Sequence, residues 1–133
     1  MRRQKDRIQH VKDYLDEHKG SLGLQEWRIS VSKDPAPDDS FAATEALEQS
    51  QTATIWLGTK FWSSTLEERR LTLIHELLHL DTWRCANMVD RLEEQLGKVA
   101  WAIFEPLWTD EWERLVDRHA SRIASTYPLP ELD

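Results

Sequence analysis

Two histidines stand four residues apart in LTLIHELLHLDTW, Leu71 to Trp83, and a glutamate directly follows the first. A helix turns about 100° per residue, so this spacing puts His75 and His79 about 40° apart, one turn along the same side. Both imidazoles then reach one cation, and Glu76 lies beside them, close enough to touch a water on that cation. The chemistry of such a set is hydrolysis. A zinc ion on nitrogen ligands acidifies a water, and the neighbouring carboxylate takes its proton.

The surrounding residues sharpen this reading. With His75 at zero on a helical wheel, Thr72, Glu76, His79 and Trp83 fall within about 100° on one side. Leu71, Leu73, Ile74, Leu77, Leu78 and Leu80 take the remaining circumference. Such a helix is buried nearly all round and keeps one narrow polar stripe. Unpaired polar groups in that setting are costly, and a divalent metal satisfies two imidazoles at once. The alternative is a metal-free helix with His75 and His79 packed as core residues.

A catalytic zinc needs a third protein ligand and a fourth position open to water. Asp81 is near in sequence but points about 160° away from the histidine midline. A continuation with Gly and His shortly after His79 is missing, since Thr82 and Cys85 stand there. Downstream, WERLVDRHA carries Glu113 and Asp117 one turn apart. Glu113 sits between a core face of Trp112, Leu115, Val116, His119 and Ile123 and a solvent face of Glu111, Arg114, Arg118 and Arg122. That is where a residue bordering a cleft belongs. Asp117 is placed to hydrogen-bond the far nitrogen of a zinc-binding histidine. Glu111 and His119 are further candidates for the third ligand. The plain alternative for Glu113 is a surface acid favoured near a helix N-terminus.

With HELLH at His75–His79 and E-x-x-x-D at Glu113–Asp117, the chain resembles the gluzincin peptidases. In size and layout it is similar to their minimal stand-alone members, near the ImmA/IrrE-like peptidases, over Ala53 to about Ala124. The resemblance implies one Zn²⁺ per chain on His75, His79 and Glu113, with Asp117 behind a histidine and Glu76 as general base. It implies a minimal zincin-like α+β fold: an N-terminal helix, a small, mostly antiparallel sheet, the active helix, and C-terminal helices that supply the third ligand. It also implies a protein or peptide substrate, added as a strand along TATIWLG just before the active helix, with Trp56 on the outward side. Related enzymes often use a Tyr or His to stabilise the oxyanion. Tyr127, in the tail, and His119, on the core side of its helix, are the residues available. Two other functions compete: a zincin-like module that binds a protein partner around a structural zinc, and a metal-free helical interaction protein. An intact Glu76 counts against the first of these.

The positioning elements follow from periodicity and punctuation. Arg3 to about Lys19 reads as an amphipathic helix on Ile8, Val11 and Leu15, ended by Gly20. Trp27–Val31 alternates as a strand, and Lys33–Ser40 is a loop by its prolines and aspartates. FAATEALEQS has helical propensity, yet its place between two strand-like segments also suits a hairpin arm. Thr52–Gly58 is a strand with Ala53, Ile55 and Leu57 on one side and Thr52, Thr54 and Trp56 on the other. Ser64 or Thr65 caps the active helix, whose first turn carries Glu67 and Glu68. The helix runs to about Trp83 and continues, with a bend, to Gly97. VAWAIFEPLW reads as an apolar connector ended by Pro106, and Thr109 or Asp110 caps a last helix before the YPLPELD tail.

The composition fits one domain over residues 1–133, with 40% hydrophobic and 31% charged residues. A net charge of −7 argues against nucleic acid and anionic membranes as partners, and the basic RRQKDR reads as a solvated first helical turn. No apolar run approaches the roughly 20 residues that span a bilayer. The N-terminus lacks the apolar segment of a signal peptide, so a cytoplasmic location is expected. The single Cys85 excludes an internal disulfide and a thiolate-rich zinc site, and it is expected to be buried. Seven tryptophans imply a well-filled core or an apolar cleft.

Overall fold

A computed structural model of the chain describes residues 2–130; the last part of the expected tail, residues 131–133, lies outside them. The first helix, α1 (Arg2–His18), forms on the expected apolar spacing, with Val11 and Leu15 fully buried and Ile8 half-buried. It does not close at Gly20. One 3-10 turn, Lys19–Leu22, follows, and the chain reverses at Gly23, whose φ of 76° is left-handed and free of a Cβ penalty.

Three strands, β1 (Arg28–Val31), β2 (Ala42–Leu47) and β3 (Thr52–Leu57), make one sheet in the order β1-β3-β2. β3 runs parallel to β1 from Arg28↔Thr52 and, over a longer ladder, antiparallel to β2 from Ala42↔Leu57. Ala53, Ile55 and Leu57 are buried as their alternation requires. The central place of β3 overturns TATIWLG as a peptide-docking strand, because neighbours on both sides already take its backbone groups. AATEAL, Ala42–Leu47, resolves as a strand. Pairing along β3 satisfies its backbone, and this tertiary context outweighs the helix propensity of its alanines. Gly58, just after β3, lets the chain pass close to the segment entering β2. A Cβ here would fall on the Ser40 carbonyl oxygen, and the Gly58 amide donates to Phe41 O at 2.8 Å.

After the short α2 (Thr59–Ser63) comes α3 (Leu66–Asp90), capped by Thr65. Thr65 Oγ1 accepts from the Glu68 amide at 3.2 Å, and the Glu68 carboxylate accepts from the Thr65 amide at 3.3 Å, a reciprocal capping box. Leu73, Ile74, Leu77, Leu78 and Leu80 are buried in one core with Val11, Leu15, Ile29 and Ile55; Leu71 is 38% exposed. Beyond Leu80 the helix leaves this core. Between residues 81 and 90 Ala86 alone is buried, and Cys85, expected inside, is exposed.

The long α4 (Leu92–Ile123) contains Gly97 at φ 82°, ψ 167°, which divides it into a short and a long helical piece. The expected connector VAWAIFEPLW is therefore helical. The helix passes through Pro106, and Thr109 and Asp110 lie inside it rather than at a cap. An internal proline costs about 3 kcal/mol. Burial of part of Trp101, Phe104 and Trp108 and the helix formers Ala100, Ala102, Glu105 and Leu107 work against that cost. The opposite side of this stretch is apolar but exposed, with Val99, Ile103 and Leu107 at 80%, 67% and 66%.

Further along α4, Val116, Ala120 and, just past its end, Ala124 are buried, whereas Leu115 and His119 are exposed. The inward face is thus rotated from the one expected. Small side chains at 120 and 124 let the backbone approach, and Glu113, Val116, Asp117 and Ala120 share an arc of about 100°. This rotation turns the two acids toward α3. No helix among the described residues is long and apolar enough to cross a membrane.

Candidate metal centre

Three elements converge on a cleft of about 370 Å³: Ser40–Thr44 at the start of β2, the middle of α3, and α4 at Trp112 and Glu113. α3 presents His75 and His79 with their Nε2 atoms 2.9 Å apart. α4 adds Glu113, whose Oε1 lies 3.2 Å from His79 Nε2 and whose Oε2 lies 3.5 Å from His75 Nε2. Behind His75, Asp117 Oδ1 is 2.7 Å from Nδ1. That carboxylate accepts from Nδ1 and orients the ring so that Nε2 faces His79 and Glu113.

The spacing is close to what zinc needs. Donors held tetrahedrally about 2.0–2.1 Å from the ion stand ~3.3 Å from one another; the two histidine nitrogens are 2.9 Å apart, and they lie 3.5 and 3.2 Å from the two different oxygens of the Glu113 carboxylate. Two ring nitrogens and the two oxygens of one carboxylate face one another, a grouping that favours positive charge among them. Burial lowers the pKa of His75, but its hydrogen bond to Glu113 and the charges of Glu76, Asp117 and Glu113 outweigh burial and raise it above 6.5. Glu113 is held down at about 2, first by hydrogen bonding with His75 and then with His79, against the effect of burial. Two imidazoles and one carboxylate meet beside an open cleft, a set of donors able to hold a metal ion.

Glu76 also lies within 4.8 Å of both histidine donors, yet it is engaged differently. It is 5% exposed, and its Oε2 accepts a hydrogen bond from Thr44 Oγ1 on β2. Glu113 instead aims one oxygen at each histidine. Glu113 thus faces both imidazoles, whereas Glu76 is tied to β2 beside them.

The five residues singled out in the sequence, His75, Glu76, His79, Glu113 and Asp117, are brought together. Thr72 is not, because its hydroxyl donates to Glu68 O at 2.9 Å within its own helix. Asp81, Glu111 and His119 are exposed, and Tyr127 Oη pairs with Ser21 Oγ at 2.6 Å. Among the described residues, neither these four nor Trp56 line the cleft.

Sequence reasoning missed Thr44, Thr82 and the strand wall of Ser40, Ala42 and Ala43. Thr82 Oγ1 donates to Leu78 O at 2.9 Å and accepts from Trp112 Nε1 at 2.7 Å. Trp112 then meets His79 edge to face, with ring centroids 4.9 Å apart. Its place directly before Glu113 was the signal available for it. Thr44 gave no signal, since it lies in the segment whose secondary structure was ambiguous. Compared with known proteins, the chain matches no family model, no curated protein and no solved structure.

Proposed function

We propose that the chain is a zinc-dependent endopeptidase of gluzincin type. The observation that carries this reading is the convergence of His75, His79 and Glu113 on one point, with Glu76 alongside and Asp117 behind His75. His75, His79 and Glu113 would hold the ion, one per chain. Zinc there supplies a water with a pKa near 7 and polarises the carbonyl to be attacked. Asp117 keeps His75 in the tautomer that presents Nε2. Thr44 holds Glu76 Oε2, which leaves Oε1 to accept a proton as the water attacks the peptide carbonyl. The C–N bond breaks as that proton passes from Glu76 to the leaving amine. The burial of Glu76 excludes solvent that would otherwise exchange with the transferred proton.

The substrate is a protein or peptide rather than nucleic acid or membrane. Its extended backbone has an edge to follow in β2, which pairs with β3 on one side and borders the cleft at Ser40–Thr44.

The test compares wild-type protein with Glu76→Gln. Protein purified without added metal is expected to carry about one zinc per chain, retained in Glu76→Gln and lost in His75→Ala and Glu113→Ala. A proteome-wide comparison of new N-termini is expected to show cuts by the wild type that Glu76→Gln does not make. A biological effect that survives Glu76→Gln points instead to a partner-binding module with a structural zinc. A full zinc complement in Glu113→Ala rejects the ligand set.

A further inference from the structure

The walls of the cleft differ in kind. On the β2 side stand Ser40, Ala42, Ala43 and Thr44, which are short and leave width. On the helix side stand Trp83 from α3 and Trp112 from α4, both half-buried, with ring centroids 5.9 Å apart at 69°. The two indoles form a corner, not a stack. Trp112 meets the ring of His79 directly, so the corner begins beside a proposed zinc ligand.

Two features make this corner a fixed recognition surface. The polar atom of Trp112 is already used, since Nε1 donates to Thr82 Oγ1 at 2.7 Å, and Thr82 is itself tied to Leu78 O. The ring is held in place and offers the cleft only carbon. Its acidic neighbours Glu76 and Glu113 disfavour an acidic side chain, and a basic one would approach the cation that the three ligands are built to hold. A cleft of about 370 Å³ lies at the small end of ligand pockets, with room for one large side chain beside an extended backbone.

We infer that Trp83 and Trp112 form a specificity subsite that seats a bulky apolar side chain, aromatic by preference, next to the scissile bond. The inference rests on the peptidase reading, and it assigns to that activity a substrate class: segments with an aromatic or large aliphatic residue at the cut. Facing rings favour an aromatic guest through edge-to-face contact in addition to burial. Phe in place of Ala at the seated position is expected to raise kcat/KM about 10- to 100-fold.

The experiment uses the full chain loaded with zinc and a peptide mixture randomised on both sides of a central bond, with cut sites read by mass spectrometry. In parallel, zinc-loaded Glu76→Gln is titrated with two peptides from the mixture that differ only by Phe or Ala at the preferred position. Wild type is expected to favour Phe, Leu or Met at one position flanking the cut. Trp83→Ala is expected to narrow the Phe-over-Ala ratio to within about threefold. Trp112→Phe, which keeps an aromatic ring but removes the bond to Thr82, is expected to keep part of the preference. Cleavage with a Phe preference unchanged in Trp83→Ala, or a preference for charged residues, overturns the subsite and leaves the peptidase standing. No cleavage by any form, together with Trp83-dependent tighter binding of the Phe peptide to Glu76→Gln, overturns the peptidase and leaves the subsite. Absence of both cleavage and binding overturns the inference.

Discussion

Asp117 touches no ion in the proposed site, yet removing it is expected to weaken zinc binding by a predictable amount. Its Oδ1 accepts from His75 Nδ1 at 2.7 Å, a charge-assisted bond that fixes the tautomer and raises the basicity of Nε2. Partners of this kind are worth about 10- to 100-fold in metal affinity. The Asp117 side chain is 67% exposed, and solvent screening places it at the lower end. Asp117→Ala is therefore expected to raise the zinc Kd about 10-fold, or ~1.4 kcal/mol. Asp117→Asn keeps an acceptor but loses the charge, so its loss should be about threefold. Competition against a chromogenic chelator at fixed pH measures both, and thermal melts of chelated protein check that the fold is unchanged. An Asp117→Ala affinity equal to wild type refutes the reasoning. So would equal losses in Ala and Asn accompanied by a lower melting temperature of the metal-free forms, since that pattern reports packing and not histidine orientation.

The metal-free chain is expected to respond to pH through the same cluster. The raised pKa of His75 contributes stability that is complete below about 6.5 and is lost as pH rises through its folded value. Glu113, lowered from 4.5 to about 2, contributes above 4.5 and loses that contribution as pH falls toward 2. Melting temperatures of chelated protein should thus show a component between about pH 4.5 and 6.5 that Glu113→Gln lacks; superimposable pH profiles would count against the pairing. Thr65→Ala removes one half of the α3 capping box and should cost about 1 kcal/mol by urea unfolding, with Thr65→Ser close to wild type. Gly58→Ala drives a Cβ into the Ser40 carbonyl and is expected to cost about 1–3 kcal/mol, and a neutral result would mean that the entry into β2 moves freely.

The site was more legible in the sequence than the frame around it, for physical reasons. His75, Glu76 and His79 depend only on local helix geometry, which three residues and a hydrophobic wrapping already specify. Glu113 and Asp117 were found because two acids one turn apart are also a local pattern. The face of α4 that meets α3 was not local: Leu115 and His119 read as core, but close approach at Ala120 and Ala124 decides the rotation and leaves both outside. The proline at 106 made VAWAIFEPLW read as a connector, whereas the real helix runs through it with Trp101, Phe104 and Trp108 half-buried. β2 was hidden because Ala42–Leu47 has helical composition and becomes a strand by pairing, so Thr44, the partner of Glu76, was hidden with it.

The approach of Glu113 to His79 has a meaning apart from chemistry. Between them the chain runs from Leu80 to Trp112, out along the end of α3 and back along α4, with Val99, Ile103 and Leu107 bare to solvent on the way. An ion gripped by both ends would close that excursion into a ring. Closing a loop of roughly 30 residues with a firm cross-link removes unfolded-state freedom worth on the order of 4 kcal/mol. The hairpin would then be tethered at its root by the same atoms that hold the ion. Its susceptibility to a protease would then follow the supply of that ion.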